Sequence, residues 1–159
     1  MWLQRRWYDK RLHPLLYLLA PLSLLFWLLT NLRRSLYRFG LLRTHKSDVP
    51  VIVVGNISVG GTGKTPLTIA LVECLKAQGY RPGIVSRGYG AQANFPHTVS
   101  VDDDAATAGD EPLMLRRKCA CPVVTSPRRV EAIQALRQQY PDVDVIISDD
   151  GLQHYAMQR

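Results

Sequence analysis

The hydrophobic and polar positions after Asp48 alternate between short apolar runs and stretches with helical periodicity. Short apolar runs of this kind are typical of buried strands. They lie at residues 51–54, 83–85, 98–101, 123–125 and 143–148. The helical stretches between them lie at residues 65–78, 110–118 and 128–139. Alternating strands and helices predict an α/β fold in which helices cover both faces of a parallel sheet.

The helix predicted at residues 65–78 has apolar side chains at helical spacing and ends before Gly79. A glycine just beyond the last turn is a common helix stop signal. We expect one face of this helix to pack on the sheet. The predicted apolar face consists of Leu67, Ala70, Leu71, Cys74 and Leu75.

A long apolar segment precedes this region. Residues 12–32 contain no Asp, Glu, Lys or Arg. As a helix they would extend about 31 Å, close to the roughly 30 Å hydrocarbon core of a bilayer. A signal peptide would end in a small-residue cleavage site, which residues 30–34 do not offer, and a buried helix would need a large core around it. The segment therefore predicts a membrane anchor.

The charges around this segment leave its orientation open. Four positively charged residues precede it and five follow it up to Lys46, so the positive-inside rule gives no direction. A helix that lies in one leaflet or bends at Pro21, with both ends on the cytoplasmic face, is one arrangement, and a simple span is the other. Residues 32–42 can form a basic amphipathic helix on anionic lipid, or an ordinary solvated helix.

The net charge is divided unevenly along the chain. The formal charge is +7, with 20 Lys and Arg against 13 Asp and Glu. Residues 1–46 carry nine of the basic residues and one of the acidic ones, so residues 47–159 are slightly acidic. This distribution favours an anionic membrane as the partner and argues against nucleic acid. Three cysteines are too few for a disulfide scaffold and favour a reducing compartment.

A glycine-rich loop lies between the first predicted strand and the first predicted helix. Its glycines let successive backbone N–H groups point at phosphate oxygens, and the helix N-terminus adds partial positive charge. In such a loop Lys64 neutralises the β- and γ-phosphates and Thr65 places its hydroxyl on Mg²⁺. Ser58 stands where the usual spacing has its first glycine. The predicted nucleotide-binding residues are Ser58, Val59, Gly60, Gly61, Thr62, Gly63, Lys64 and Thr65.

Two acidic sequences can complete a nucleotide site. Asp149 and Asp150 follow the last apolar strand, which places a carboxylate at the carboxyl edge of the sheet, where such folds bind ligands and Mg²⁺. Asp110 and Glu111 open the helix predicted at residues 110–118. They either complement the helix dipole or act as a base or metal ligand beside the γ-phosphate.

Four motifs in this order resemble the tetraacyldisaccharide 4'-kinase family, the lipid A 4'-kinases of Gram-negative bacteria. They are GNISVGGTGKTP at residues 55–66, SRGYG at 86–90, GDEP at 109–112 and DDGLQH at 149–154. The resemblance covers essentially the whole chain, including the apolar helix. It implies a P-loop NTPase-like sheet preceded by a membrane-associated helix. It also implies ATP and Mg²⁺ as cofactors, and transfer of the γ-phosphate to the 4'-hydroxyl of a tetraacylated glucosamine disaccharide 1-phosphate.

The resemblance also implies roles for individual residues. The implied catalytic residues are Lys64, which neutralises developing charge, and Asp110, which accepts the proton of the sugar hydroxyl. The implied metal ligands are Thr65, Glu111, Asp149 and Asp150. The implied substrate-binding residues are Arg87, Gln153 and His154. The implied location is the bacterial inner membrane, with the catalytic part on the cytoplasmic face.

The length of the chain bears on this expectation. Members of the family are about twice as long, so we expect the chain to be a fragment that lacks the remaining strands, the contacts to the nucleotide base and a supporting histidine, and to be inactive by itself. We divide it into a membrane anchor with a basic flank at residues 1–46 and a nucleotide-binding domain at residues 47–159. Alternative functions are a membrane-associated P-loop ATPase or GTPase switch of the partition or targeting type and a nucleotide-binding membrane tether.

Several charged clusters are interpreted as ordinary surface. Residues 116–118 and the Arg128–Arg129 pair are assigned to solvated helix faces. Residues 102–104, three consecutive aspartates, are assigned to a solvated turn. Cys119 and Cys121 have no clustered partner in the sequence and are interpreted as a thiol pair without a metal.

Overall fold

The computed structural model describes residues 18–42, 44–55 and 63–149. The chain divides into two compact units, Met1–Arg43 and Thr44–Arg159. The described helices are α1 (Ala20–Arg38), α2 (Lys64–Ala77), α3 (Ala105–Ala108), α4 (Asp110–Cys119) and α5 (Arg129–Gln139). The described strands are β1 (Val51–Val54), β2 (Pro82–Ser86), β3 (His97–Thr98), β4 (Val123–Thr125) and β5 (Val145–Asp149).

Helix α1 belongs to the first unit. It begins at Ala20, and Pro21 fits there because the first turn of a helix does not need its N–H. The helix ends at Arg38, two residues before Gly40, which has a φ of +72°. None of its residues is buried. Among the helices that the structure describes, none is long and apolar enough to cross a membrane. The first part of the predicted anchor, residues 12–17, lies outside the described residues.

The second unit is built on a five-stranded sheet with the order β1-β5-β2-β4-β3. The β1–β5, β5–β2 and β2–β4 pairs are parallel. The prediction of a parallel sheet is confirmed for these three pairs and is wrong at one edge, where β3 runs antiparallel to β4. The strand predicted at residues 98–101 is also wrong in extent. It ends at Thr98, since the Ser100 N–H donates to the Asp103 carboxylate and the chain turns there.

Neighbouring residues of the central strands point to opposite faces of the sheet, as the two-residue period of a strand requires. Ile84, Val123 and Ile147 belong to the core under α2 and α4. Val85 and Ile146 belong to the core under α5. Both faces are therefore apolar and covered by helices, which confirms the predicted α/β sheet with flanking helices.

The buried face of α2 differs from the predicted one. Thr68 and Val72, four residues apart, are fully buried, whereas Leu67 is 58% exposed and Cys74 is also exposed. Leu71 and Leu75 are only partly buried. The predicted face was misplaced because a threonine counts as polar in the sequence pattern, yet its short side chain fits closely against the sheet.

The three cysteines are free thiols, with Cys74 exposed and Cys119 and Cys121 buried. Burial raises the pKa of Cys119, and it raises the pKa of Cys121 to about 12. Both buried thiols therefore stay protonated at neutral pH, and the thiolate is the form that binds metals and reacts with oxidants.

The cluster at residues 116–118 is exposed at Arg117 and Lys118, as interpreted, whereas Arg116 is half-buried, and both arginines also bind backbone carbonyls. Arg116 donates to the carbonyls of Val99 and Cys121 at 3.1 and 3.2 Å. Arg117 donates to the carbonyls of Val101 and Asp103 at distances from 3.1 to 3.2 Å. A short edge strand leaves carbonyl groups without ladder partners, and these guanidinium groups satisfy them.

Arg137 of α5 also donates hydrogen bonds to the segment before β1 and to the loop before β5. It donates to both carboxylate oxygens of Asp48, at 2.8 and 3.1 Å, and to the carbonyls of Pro141 and Val143, at 2.9 and 2.6 Å. The hydrogen bond from Arg137 lowers the pKa of Asp48. This arrangement joins the segment before β1 to the loop before β5, and it stabilises the pairing of those two strands.

Replacing Arg137 should test this connection. We expect Arg137→Met to lower Tm by roughly 3–8 °C, because it removes a bidentate ion pair and leaves backbone carbonyls without a donor. Arg81→Met is the matched control, since the Arg81–Asp142 pair is 3.8 Å long and mostly exposed. Because the pKa of Asp48 is lowered in the folded protein, its contribution is complete well above pH 3.8 and is lost as the pH falls through the folded pKa. Equal Tm shifts for the two variants at pH 7 would contradict this role.

Candidate functional site

The parallel pairing of β1 with β5 brings two distant motifs together. Val54, the last residue of β1, lies directly beside Asp149, the last residue of β5. Gly55 follows Val54 and is the last described residue before the glycine-rich loop. Since parallel strands end at the same edge of a sheet, the loop starts next to Asp149.

The first turn of α2 follows this loop. Gly63 precedes the helix with a φ of +77°, a left-handed conformation that glycine adopts at little cost. Lys64 and Thr65 are the first two residues of the helix. The Thr65 hydroxyl donates to a carboxylate oxygen of Glu111 at 2.6 Å. This bond joins the end of the glycine-rich loop motif, residues 55–66, to the GDEP motif at residues 109–112, across 46 positions of the chain.

A cavity of about 310 Å³ opens at the same edge of the sheet. Its acidic lining comes from Asp110 and Glu111 in the first turn of α4, and from Asp149. Its basic lining comes from Arg87, just after β2, and from Arg129. Opposite charges therefore face one space, which is the arrangement expected for a site that binds phosphate groups and handles protons.

Close backbone contact holds the acidic helix beside the Ser86–Gly90 loop. Gly109 precedes Asp110 with a φ of +86° and a ψ of +145°, a region that is essentially restricted to glycine. A Cβ atom on Gly109 would lie 3.1 Å from the carbonyl oxygen of Tyr89. The glycine therefore permits both the helix start and the approach of the loop that carries Arg87.

Arg129 was assigned to a solvated helix face, and this interpretation is wrong. Its side chain is only 2% exposed. It donates to the carbonyl of Ser126 at 3.0 Å and to the carbonyl of Asp149 at 2.8 Å. One signal in the sequence could have identified it, because a cation in the first turn of a helix opposes the helix dipole and calls for an explanation.

The structure places seven of the sequence-predicted site residues. Arg87, Asp110, Glu111 and Asp149 line the cavity, and Thr65 bonds to one of them. Lys64 is the first residue of α2, directly before Thr65, and Gly63 precedes it. The remaining predicted residues lie outside the described residues, and their assignments stay predictions: Ser58, Val59, Gly60, Gly61, Thr62, Asp150, Gln153 and His154.

The hydroxyl and carboxyl oxygens described at this site are donors of the kind that a magnesium ion takes. The Thr65 hydroxyl and the Glu111 carboxylate are in contact, and Asp149, whose carboxyl oxygens are buried, is among the residues that line the same cavity as Glu111. Within residues 18–42, 44–55 and 63–149, no group of three or more His, Cys, Asp or Glu could hold a metal by itself. Mg²⁺ usually takes one or two carboxylates and completes its shell with water and phosphate oxygens, so this donor set suits it.

The fold and the cavity define an α/β protein whose candidate site combines a helix N-terminus, carboxylates and arginines at the carboxyl edge of a parallel-dominated sheet. A family model described as "Tetraacyldisaccharide-1-P 4'-kinase" matches residues 15–159 of the chain. The chain belongs to this family, which confirms the resemblance seen in its motifs.

Individual relatives agree with this assignment. The chain is 62% identical to the tetraacyldisaccharide 4'-kinase of Idiomarina loihiensis and 52% identical to that of Aeromonas hydrophila, over 100% and 99% of its length. It covers 48% and 46% of those two proteins, so it spans about half the length of these curated relatives. A crystal structure of LpxK from Aquifex aeolicus in complex with ATP is also similar. It has a TM-score of 0.79 and 37% identity, and the match covers 89% of this chain and 45% of that one.

Replacing Gly109 should test the close contact beside the cavity. We expect Gly109→Ala to lower the free energy of unfolding by about 1–3 kcal/mol, because alanine is strained at this φ and its methyl group meets the Tyr89 carbonyl. Gly90→Ala is the matched control, since Gly90 has a φ of +78° but no atom within 4 Å of the added Cβ. Urea denaturation of both variants measures the difference. A Gly109→Ala variant no less stable than Gly90→Ala would show that the contact does not constrain the loop.

Proposed function

We propose that the protein containing this chain is an ATP-dependent lipid kinase. It transfers the γ-phosphate of ATP to the 4'-hydroxyl of a tetraacylated glucosamine disaccharide 1-phosphate in lipid A biosynthesis. The observation that carries the proposal is the 2.6 Å bond between Thr65 and Glu111. It joins the start of a phosphate-loop helix to a helix whose first residue, Asp110, lines a cavity, in a chain of the 4'-kinase family.

The nucleotide end of the site is proposed at the start of α2. The first N–H groups of a helix have no partner within the helix and carry partial positive charge, so they attract phosphate oxygens. Lys64 at this position adds a full positive charge that stabilises the negative charge developing during transfer. These features support a P-loop NTPase-like nucleotide site in this chain. They are consistent with the binding of ATP by LpxK from Aquifex aeolicus.

The acceptor end of the site is proposed around Asp110. This residue is exposed, opens α4 and lines the cavity, so an incoming hydroxyl group can reach its carboxylate. Asp110 accepts the hydroxyl proton as the oxygen attacks the γ-phosphorus, and the bond from that phosphorus to the bridging oxygen breaks, so that ADP leaves. Arg87 is also exposed and lines the same cavity. Its guanidinium group can bind a phosphate oxygen through two parallel hydrogen bonds.

Magnesium is proposed as the second cofactor. Thr65 and Glu111 would hold it together with Asp149, and the Thr65–Glu111 contact keeps two of these oxygen donors adjacent. When bound, Mg²⁺ neutralises phosphate charge during transfer. The chain's own contribution is to hold these donors at the end of the sheet, close to the start of the phosphate-loop helix.

Helix α1 is proposed to associate with an anionic membrane, which would be the cytoplasmic face of the bacterial inner membrane. Its apolar side chains are exposed, with Phe26, Trp27 and Leu29 each more than half accessible. Its C-terminal part carries Arg33, Arg34 and Arg38. Apolar and basic side chains on one helix suit an acyl layer below anionic head groups. A tetraacylated acceptor stays in the bilayer, so attachment there brings enzyme and substrate together.

Replacing Asp110 should test the proposed chemistry in the full-length protein. We expect Asp110→Asn to lower the rate of lipid phosphorylation about 10²- to 10⁴-fold, because an amide cannot accept the proton. ATP binding should change little. The measurement supplies labelled ATP, Mg²⁺ and the tetraacyl disaccharide 1-phosphate in detergent and follows label into lipid. Asp102→Asn, at an exposed aspartate on a turn, is the control and should keep full activity.

Three other outcomes of this assay would change the proposal. Label that appears only in free phosphate would favour an ATPase switch. ATP binding without turnover in the wild-type protein would favour a nucleotide-binding tether. Full lipid labelling by Asp110→Asn would remove Asp110 from the role of base while leaving the kinase activity in place.

A vesicle-binding experiment should test the proposed membrane contact. We expect the triple variant Arg33→Gln, Arg34→Gln and Arg38→Gln to weaken binding to vesicles containing anionic lipid about 100-fold, since each basic residue near such a surface contributes roughly 1 kcal/mol. Binding to uncharged vesicles should change little. Arg81→Gln with Arg128→Gln is the charge control, because both side chains are exposed in the second unit. Equal losses in the two sets would show that overall charge, rather than α1, sets the affinity.

A further inference from the structure

Arg129 makes contacts that none of the roles described so far requires. Its guanidinium group is almost completely buried and lines the same cavity as Asp110, Glu111 and Asp149. Removing a charged group from water is costly unless hydrogen bonds and opposite charges compensate for it. The burial of the Arg129 charge is therefore not explained by the stability of a surface helix alone.

The two carbonyl groups that Arg129 binds belong to strands that are not neighbours. Ser126 directly follows β4, and Asp149 ends β5, whereas β2 lies between β4 and β5 in the sheet. A ladder hydrogen bond joins only adjacent strands, which are about 4.8 Å apart. Arg129 therefore supplies a link that the sheet cannot make, with one N–H group on each carbonyl, at 3.0 and 2.8 Å.

The Ser126 side of this link is itself fixed. The Ser126 N–H donates to the carbonyl of Ser86 at 3.1 Å, which ties the end of β4 to the end of β2. The Ser126 hydroxyl accepts from the Arg128 N–H at 3.2 Å and donates to the Glu131 carboxylate at 3.3 Å. The turn that leads into α5 is therefore held at both its backbone and its side chain, and Arg129 projects from a rigid support.

The other end of the link, Asp149, lies at the edge of the sheet where the cavity opens. Asp149 is the last residue of β5, is 1% exposed and is among the residues that line the cavity. A carboxylate at the end of a strand moves with that strand end, so a bond to the Asp149 carbonyl restricts where the carboxylate can lie.

We infer that Arg129 is a positioning residue, whose guanidinium group bridges the ends of β4 and β5 and thereby fixes the Asp149 carboxylate at the candidate site. The inference rests on the proposed function for the role of Asp149 in phosphate transfer, but the bridge itself is independent of that function. Lysine at this position would keep the charge but could not bridge the two carbonyl groups, because its single ammonium group does not present two donors at fixed separation.

The test compares Arg129→Lys with Arg128→Lys in the full-length protein. Arg128 is the matched control, since it precedes Arg129, its side chain is 82% exposed and its described side-chain bond is an ion pair with Glu131. We expect Arg129→Lys to lower kcat for lipid phosphorylation about 10- to 100-fold, because small displacements at a reacting centre have effects of this size. KM for ATP should change less than about threefold, since the phosphate loop is intact. Arg128→Lys should match the wild type in both.

Hydrogen exchange provides a readout that does not depend on activity. In Arg129→Lys we expect faster exchange at the end of β5, around Ser148 and Asp149, while the amides of β2 and the first half of β5 keep their protection. This measurement separates the inference from the proposed function. If the wild-type protein transfers no phosphate to lipid, the kinase proposal fails, yet the exchange comparison still tests the bridge.

Four results would overturn the inference. They are a normal kcat in Arg129→Lys, unchanged exchange at the end of β5, an equal loss of kcat in Arg128→Lys, and faster exchange across the whole sheet together with loss of ATP binding. The last result would make Arg129 a residue that stabilises the fold as a whole rather than one that positions Asp149.

Discussion

The insertion of β5 between β1 and β2 is the constraint on which the candidate site depends. β5 is the last described strand in the sequence, yet it pairs with both of the first two. This pairing places Asp149 beside Val54, at the start of the glycine-rich loop. It also buries apolar side chains on both faces, so the hydrophobic effect that stabilises the sheet also holds the acidic end of β5 at the edge with the candidate site.

A few contacts between loops and helix starts also shape the surroundings of the cavity. The Thr65–Glu111 bond fixes the first turns of α2 and α4 relative to each other. The missing side chain of Gly109 lets the loop carrying Arg87 approach α4. These contacts bring residues from three separate motifs to one cavity, where acidic and basic groups face each other across a small space.

Arginine has a common structural role throughout the second unit. Arg116, Arg117, Arg129 and Arg137 all donate to backbone carbonyls at strand ends or in loops. Short strands leave many carbonyl groups without ladder partners, and a guanidinium group with five donors can satisfy two or three of them at once. These four arginines therefore support the backbone at strand ends and in loops.

Much of this architecture could be predicted from local patterns. The apolar runs of β1 and β4 were located residue for residue, and α4 and α5 to within one residue at an end, because buried strands and amphipathic helices have strong periodicity. The family could also be recognised, since four motifs in a fixed order are specific. Exposed and buried roles of single residues were less predictable. The buried face of α2 and the edge strand β3 were misplaced, because both depend on packing partners far away in the chain.

The sequence by itself determined the α/β class, the family and the chemical groups that reach the carboxyl edge of the sheet, because each of these follows from local residue patterns. Only the tertiary structure decided how those groups meet. The Thr65–Glu111 bond and the Asp149 register join residues far apart in the chain, and no local pattern encodes such distances. The same holds for Arg129. In the sequence it is one of two adjacent arginines at a helix start. Only the tertiary structure shows that it is buried and that its guanidinium group binds carbonyls at the ends of β4 and β5.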